Sequence, residues 1–488
     1  MAEFPMAWGA LHAQAQPDIL PLDTAADRPA RGLVHALFLV GAFLAPLNLV
    51  IRFSFTVYDA LTAVIAFLLV WDAGRRGPRL QFLSFRLTAA AYVFLLFAVL
   101  STLRSTVPTE SLTQVVQFAF VFFIQIPVIL TLARSPSLFR ASLILFLCVA
   151  LVGMLSSFVA GQVQGAGRTL IFYSDNPNRL GYPTAYILPF VLYLLIDAPR
   201  SKRAWATILA LPAFYLMIWA LAASGSRSAT MATPLALVAF LSFHPGLHIN
   251  FRTALRFALV VMLIGLLAYG FYESDLFPST LHKRIDRTLR QEASLTQDRL
   301  TLADAGWRAF EESPLVGVGL DNFRYVATRY LSYTTNQLPH NMWLQFLAQI
   351  GLVGTLAFLA LMAGWFVTLF RAQRATRNRS QREMLWAFLA SMIAILTIYM
   401  FVPIMIERHY WLIFGLGLAL ADYSRRAPRE TPVEDETYAS RQASGRPARA
   451  LRTATSIFDE DTGRSVPSAS PPASSTAEII SQIMARPD

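Results

Sequence analysis

The sequence predicts an all-α, polytopic membrane fold, and three observations carry that prediction. Apolar windows of about 20 residues, the length that crosses a bilayer core as a helix, recur from Gly32 to Asp422. Only 15% of the residues are charged and 55% are hydrophobic, whereas about a quarter of a soluble domain is charged. Basic residues also gather in alternate short loops, the asymmetry that orients helices in a membrane.

The N-terminal residues 1–31 have no basic segment leading into an apolar core, so they read as a cytoplasmic tail and not as a cleaved leader. The candidate spans are then 33–51, 54–71, 87–103, 113–133, 138–160, 180–197, 204–223, 228–243, 253–272, 341–370, 385–403 and 408–424, about twelve in all. Nine of them lie within 32–272 and three within 340–424. Arg75, Arg76, Arg79 and Arg86 lie in one short loop, and Arg200, Lys202, Arg203 and the run from Arg371 to Arg382 lie in others of the same parity. This series puts both termini in the cytoplasm and the long polar segment 273–339 on the periplasmic side. That segment carries both signs of charge, and long loops translocate largely regardless of charge. From 425 to 488 the chain is rich in Arg, Ser, Pro, Ala and Thr, too poor in large apolar residues to offset chain entropy, and reads as a disordered cytoplasmic tail.

Composition narrows the chemistry. In a soluble chain a net charge of +11 would point to nucleic acid; here it lies largely in short loops and a tail, and no nucleic-acid partner is expected. The single Cys148 can form no intrachain disulfide, and no Asp-rich run or His-x-x-x-His pair suggests a metal. Gly317 and Gly319 lack the strand and helix of a dinucleotide loop and read as a turn. Arginines in outer loops are more informative, because insertion does not ask for them there. Arg168 and Arg179 flank one outer turn, Arg227 sits in Ser224-Gly225-Ser226-Arg227-Ser228, and Arg299 and Arg308 lie in the long outer segment. Converging guanidinium forks suit a pyrophosphate, although any one of them could instead meet a headgroup or a loop carboxylate. Glu407-Arg408-His409 reads as a local ion-pair cluster capping a short hairpin, with a second site as the alternative.

His340 follows Pro339 at the start of a hydrophobic helix. The partial positive charge of a helix N-terminus disfavours imidazolium, which keeps the ring able to accept a proton near neutral pH. Taken alone, such a histidine reads as a helix cap or a headgroup contact, so the case for chemistry rests on its neighbours.

His340-Asn341, nine residues, and then Gly351-Leu352-Val353-Gly354 resembles the signature of the O-antigen ligase family. The stretches Asn176-Pro177-Asn178, Ser226-Arg227-Ser228 and Pro314 to Phe323 resemble the same superfamily, so the likeness runs over roughly residues 160–424. The resemblance implies a GT-C-like, metal- and cofactor-independent glycosyltransferase in a bacterial inner membrane. Its donor would be a glycan on undecaprenyl pyrophosphate and its acceptor a lipid A-core or glycan hydroxyl, with inversion at the sugar. By position, His340 corresponds to the proposed general base and Arg227, Arg299 and Arg179 to pyrophosphate-binding arginines, while Asn341, Gly351 and Gly354 complete the motif. The related polymerases, which extend a lipid-linked O-antigen or exopolysaccharide, share the donor half of this chemistry. A membrane transporter is the alternative of another class, and would place its polar residues near mid-membrane instead.

Overall fold

A computed structural model describes residues 28–52, 55–76, 80–160, 163–164, 168–171, 174, 176–200, 204–243, 299–331, 338–403 and 407–426. The expected span 253–272, the loop residues 273–298 and nearly all of both tails lie outside them. The described chain is mostly helical: α1 (Arg28–Leu44), α2 (Val57–Arg76), α3 (Phe85–Thr102), α4 (Pro108–Leu132), α5 (Pro136–Ala160), α6 (Asn178–Arg200), α7 (Ala204–Ser224), α8 (Arg227–Phe243), α9 (299–312), α10 (Met342–Ala375), α11 (Arg379–Tyr399) and α12 (Arg408–Arg426). Two minimal antiparallel hairpins, Val50–Arg52 with Phe55–Thr56 and Val163–Gln164 with Arg168–Thr169, sit in the turns after α1 and α5.

Seven helices (α2, α3, α4, α5, α6, α10 and α11) are long and apolar enough to cross a membrane. They coincide with seven of the predicted windows. Two more windows fall on the shorter apolar stretches Gly32–Leu47 and Ala210–Ser224, and those at 228–243 and 408–424 are helical as α8 and α12.

Local chemistry accounts for several boundaries. Pro108 and Pro136 begin α4 and α5, where a missing N–H costs nothing. Pro127 cannot donate to the carbonyl four residues back, and α4 widens into a π turn over Val121–Gln125 just before it. α2 opens with a capping box. The Thr56 N–H and hydroxyl donate to Asp59 Oδ2 at 2.8 and 3.0 Å, and the Asp59 N–H returns a bond to Thr56 Oγ1 at 3.2 Å. The other carboxylate oxygen, Oδ1, accepts from Arg408 Nε at 2.6 Å, with both side chains 1% exposed. Arg408 thus pairs across 349 positions of sequence, with a distant partner that the local-cluster reading of Glu407-Arg408-His409 did not include.

In lipid, helix association rests on side-chain packing because the surroundings are as apolar as the side chains. The centre of this packing is aromatic. Phe94 of α3 meets Phe118, Phe122, Phe346 and Phe358 at 5.0 to 5.9 Å, and Trp411 of α12 meets Phe122 at 5.3 Å.

The expected straight span from 341 is broken. Gly351 has φ 71° and ψ −176°, a conformation open essentially to glycine alone. Phe346 and Phe358, twelve residues apart, would lie about 18 Å apart along a straight helix, yet their ring centroids are 4.8 Å apart. Trp343 likewise reaches Phe358 at 6.1 Å. The arm 342–350 therefore folds back sharply against the long segment that follows Gly351.

Candidate functional site

The arm begins in a tight three-residue turn centred on His340, in which the Asn341 N–H donates to the Pro339 carbonyl. Asn341 is the N-cap; its side-chain oxygen accepts the Leu344 N–H at 3.1 Å. His340 therefore stands one residue before the helix, at its positive end. Helix α9 packs on this turn through Gly306, where a Cβ would lie 3.2 Å from Leu344 and 3.3 Å from Pro339. Leu302, Ala305 and Ala309, one stripe of α9, form a small core with Ala348, Phe323 and Val326. That packing fixes Arg299, at the start of the described part of α9, near His340. Burial lowers the pKa of the half-buried imidazole below its ordinary value, and the charge of Arg299 lowers it further.

The break in α10 is closed from outside. Val318 N–H donates to the Ala348 carbonyl at 2.9 Å, Gly319 N–H to the Gln349 carbonyl at 3.0 Å, and Leu352 N–H to the Pro314 carbonyl at 2.8 Å. The turn 313–319 thereby satisfies backbone groups that the reversal withdraws from the helix. Two glycines make this approach possible: a Cβ on Gly351 would lie 2.3 Å from the Leu315 carbonyl carbon, and one on Gly317 would lie 2.3 Å from that of Gln349. Gly317 and Gly319 thus form the expected turn, with φ of 80° and 108°. Gly354 differs, because a Cβ there would meet only the Ile350 side chain, at 3.0 Å.

A second patch lies at the amino ends of α6, α8 and α12. A Cβ on Gly181 would lie 2.4 Å from Ser224 Oγ and 3.1 Å from Ser226, so the first turn of α6 rests directly on the turn that leads into α8. Arg179 and Arg227 sit on these touching turns, and the Arg227 side chain is exposed. Arg179 Nη2 donates to Glu407 Oε1 at 2.6 Å. Burial raises the pKa of Glu407, an effect opposed by the charges of Arg179 and Arg408. Arg179, Tyr182, Tyr186, Glu407 and His409 line a small cleft here. The two patches share an underlying ring: Phe358 meets Trp343, three residues after His340, at 6.1 Å and Trp411, two residues after His409, at 6.5 Å.

Not every arginine singled out in the sequence joins these patches. Arg308 pairs with Asp304 one helical turn away at 2.8 Å, with both side chains more than half exposed, so it is an ordinary surface ion pair. Asp59 and the Arg179–Glu407 pairing had no reading in the sequence. The first carried a signal in Thr56-Val57-Tyr58-Asp59, a capping-box pattern at the head of an apolar run.

Comparison with curated proteins finds no match. Residues 212–359 match the family model described as O-antigen ligase. The matched segment contains Arg227, Arg299, His340, Asn341, Gly351 and Gly354; Arg179 lies before it. This segment, which carries the broken helix and the turn on His340, is thus similar to the O-antigen ligase family.

Proposed function

We propose that this protein is an inverting glycosyltransferase that moves a glycan from undecaprenyl pyrophosphate to the hydroxyl of a lipid A-core acceptor. The reaction takes place at the periplasmic face of the bacterial inner membrane, in a GT-C-like bundle of about twelve spans. His340 takes the proton of the acceptor hydroxyl as its oxygen attacks the anomeric carbon. The bond from that carbon to the pyrophosphate breaks, and undecaprenyl pyrophosphate departs with the electron pair. A single displacement inverts the sugar, and no carboxylate nucleophile is required. Arg299, Arg227 and Arg179 offset the charge that develops on the leaving diphosphate, which then needs no acid to assist it.

The observation that carries this reading is the environment of His340. A base has to be unprotonated at working pH and within reach of a hydroxyl. His340 is half-buried at a helix amino end beside Arg299, which favours the neutral ring. The same cation that suppresses protonation of the base carries the planar fork of donors that matches diphosphate oxygens.

His340→Ala is expected to abolish glycan transfer while the protein still inserts and accumulates. In cells lacking transfer, lipopolysaccharide should lose its long glycan and lipid-linked polymer should build up. Undiminished transfer by the variant would remove His340 from the mechanism. Accumulation of single repeats instead of polymer would reassign the reaction to polymerisation.

A further inference from the structure

The Arg179–Glu407 pair has a feature that a purely structural clamp does not require. Glu407 is the more deeply placed partner, its side chain 11% exposed against 32% for Arg179, so the cation is the half that opens towards a ligand. Glu407 has a second group in waiting. Its other oxygen, Oε2, lies 3.9 Å from Nδ1 of His409, too far for a hydrogen bond, and that buried nitrogen has no hydrogen-bond partner among the described residues. Arg408, between these two residues in sequence, is held by the buried Asp59 and anchors the whole segment.

Resting on the assignment of Arg179 to the donor, we propose that Glu407 is a placeholder carboxylate. It occupies the Arg179 guanidinium when no donor is present and yields it to the lipid diphosphate, turning instead to His409. A carboxylate and a phosphate oxygen compete for the same fork of donors, so the resting pair keeps a half-buried cation satisfied between turnovers. The exchange moves one charged contact and forms one neutral-donor hydrogen bond, with no covalent change.

The proposal and a structural clamp predict opposite signs. Binding of undecaprenyl pyrophosphate is measured on the purified full-length protein in lipid nanodiscs. Glu407→Gln removes the competing charge and keeps the shape, so affinity should rise about two- to fivefold, as expected for loss of one partly exposed ion pair. Arg179→Gln should weaken binding, and adding Glu407→Gln to it should change nothing further. Unchanged or weaker binding by Glu407→Gln in a protein with unaltered thermal unfolding would overturn the placeholder and make Glu407 a clamp. If Glu407→Gln does not accumulate, Glu407→Asp, which withdraws the carboxylate by one methylene, should tighten binding in the same direction, and failure to do so is equally decisive. Unchanged affinity in Arg179→Gln would also overturn the proposal while leaving Arg227 and Arg299 as donor ligands. No binding by the wild-type protein would remove the donor assignment itself.

Discussion

Replacing Gly351 by alanine tests whether the reversal of α10 builds the site. At φ 71° and ψ −176° an alanine carries about 1–3 kcal/mol of backbone strain. Its Cβ would also stand 2.3 Å from the Leu315 carbonyl group, a contact with backbone that no rotamer change relieves. The turn 313–319 must then withdraw, and with it go the bonds from Val318 N–H to Ala348, from Gly319 N–H to Gln349 and from Leu352 N–H to Pro314. At about 0.5–1.5 kcal/mol each, their loss brings the total to roughly 3–7 kcal/mol, enough to undock the turn locally. The assay is hydrogen exchange on the detergent-solubilised protein, read at the amides of Val318, Gly319 and Leu352, together with transfer activity. Faster exchange at these three amides and loss of transfer are expected. Gly354→Ala is the control, since its Cβ meets the Ile350 side chain at 3.0–3.1 Å and no backbone at that range, and it should leave both readouts nearer wild type than Gly351→Ala does. Unchanged protection and activity in Gly351→Ala would refute the dependence of the docked turn and the site on this break.

Arg299→Gln should move the acid limb of the kcat/KM profile to higher pH. His340 works unprotonated and its pKa is depressed by burial first and Arg299 second, so wild-type activity persists below the ordinary histidine value of about 6.5; removing the cation makes protonation easier. An acid limb that stays in place would separate Arg299 from His340. Asp59→Asn removes the buried carboxylate charge that Arg408 Nε meets at 2.6 Å and should cost about 3–5 kcal/mol in equilibrium unfolding in detergent, with most of it recovered in Asp59→Asn/Arg408→Met. Equal stability of the single variant and wild type would make that pair dispensable. Thr328→Cys in a Cys148→Ser background is exposed on the outer segment and should react with an impermeant thiol reagent from the periplasm. Reaction only after the inner face is opened would invert the orientation.

Much of the fold was legible because a bilayer imposes a length on any helix that crosses it. The windows at 87–103, 113–133 and 138–160 recur as α3, α4 and α5 within a few residues. The reversal at Gly351 was not legible, because glycine inside an apolar run is tolerated in helices and nothing in the local pattern separates a straight path from a bend. It becomes intelligible only when the turn 313–319 is set against it, and that turn lies more than thirty positions away. The same holds for Arg408. Its neighbours Glu407 and His409 suggested a local cluster, while the partners that matter, Asp59 for Arg408 and Arg179 for Glu407, come from distant helices. His340 was legible by its motif, and the direction of its pKa shift agrees with the sequence; its causes, burial first and Arg299 second, required the fold, in which α9 packs onto Pro339.

The spacing between His340 and Gly351 is therefore a length. Asn341 caps the arm, residues 342–350 rise about 13 Å at 1.5 Å per residue, and Gly351 reverses it. Folded back, the arm sets Trp343 over Phe358, whose ring also meets Trp411. The cap and the break set its two ends, because one fixes where the imidazole stands and the other fixes where the arm points.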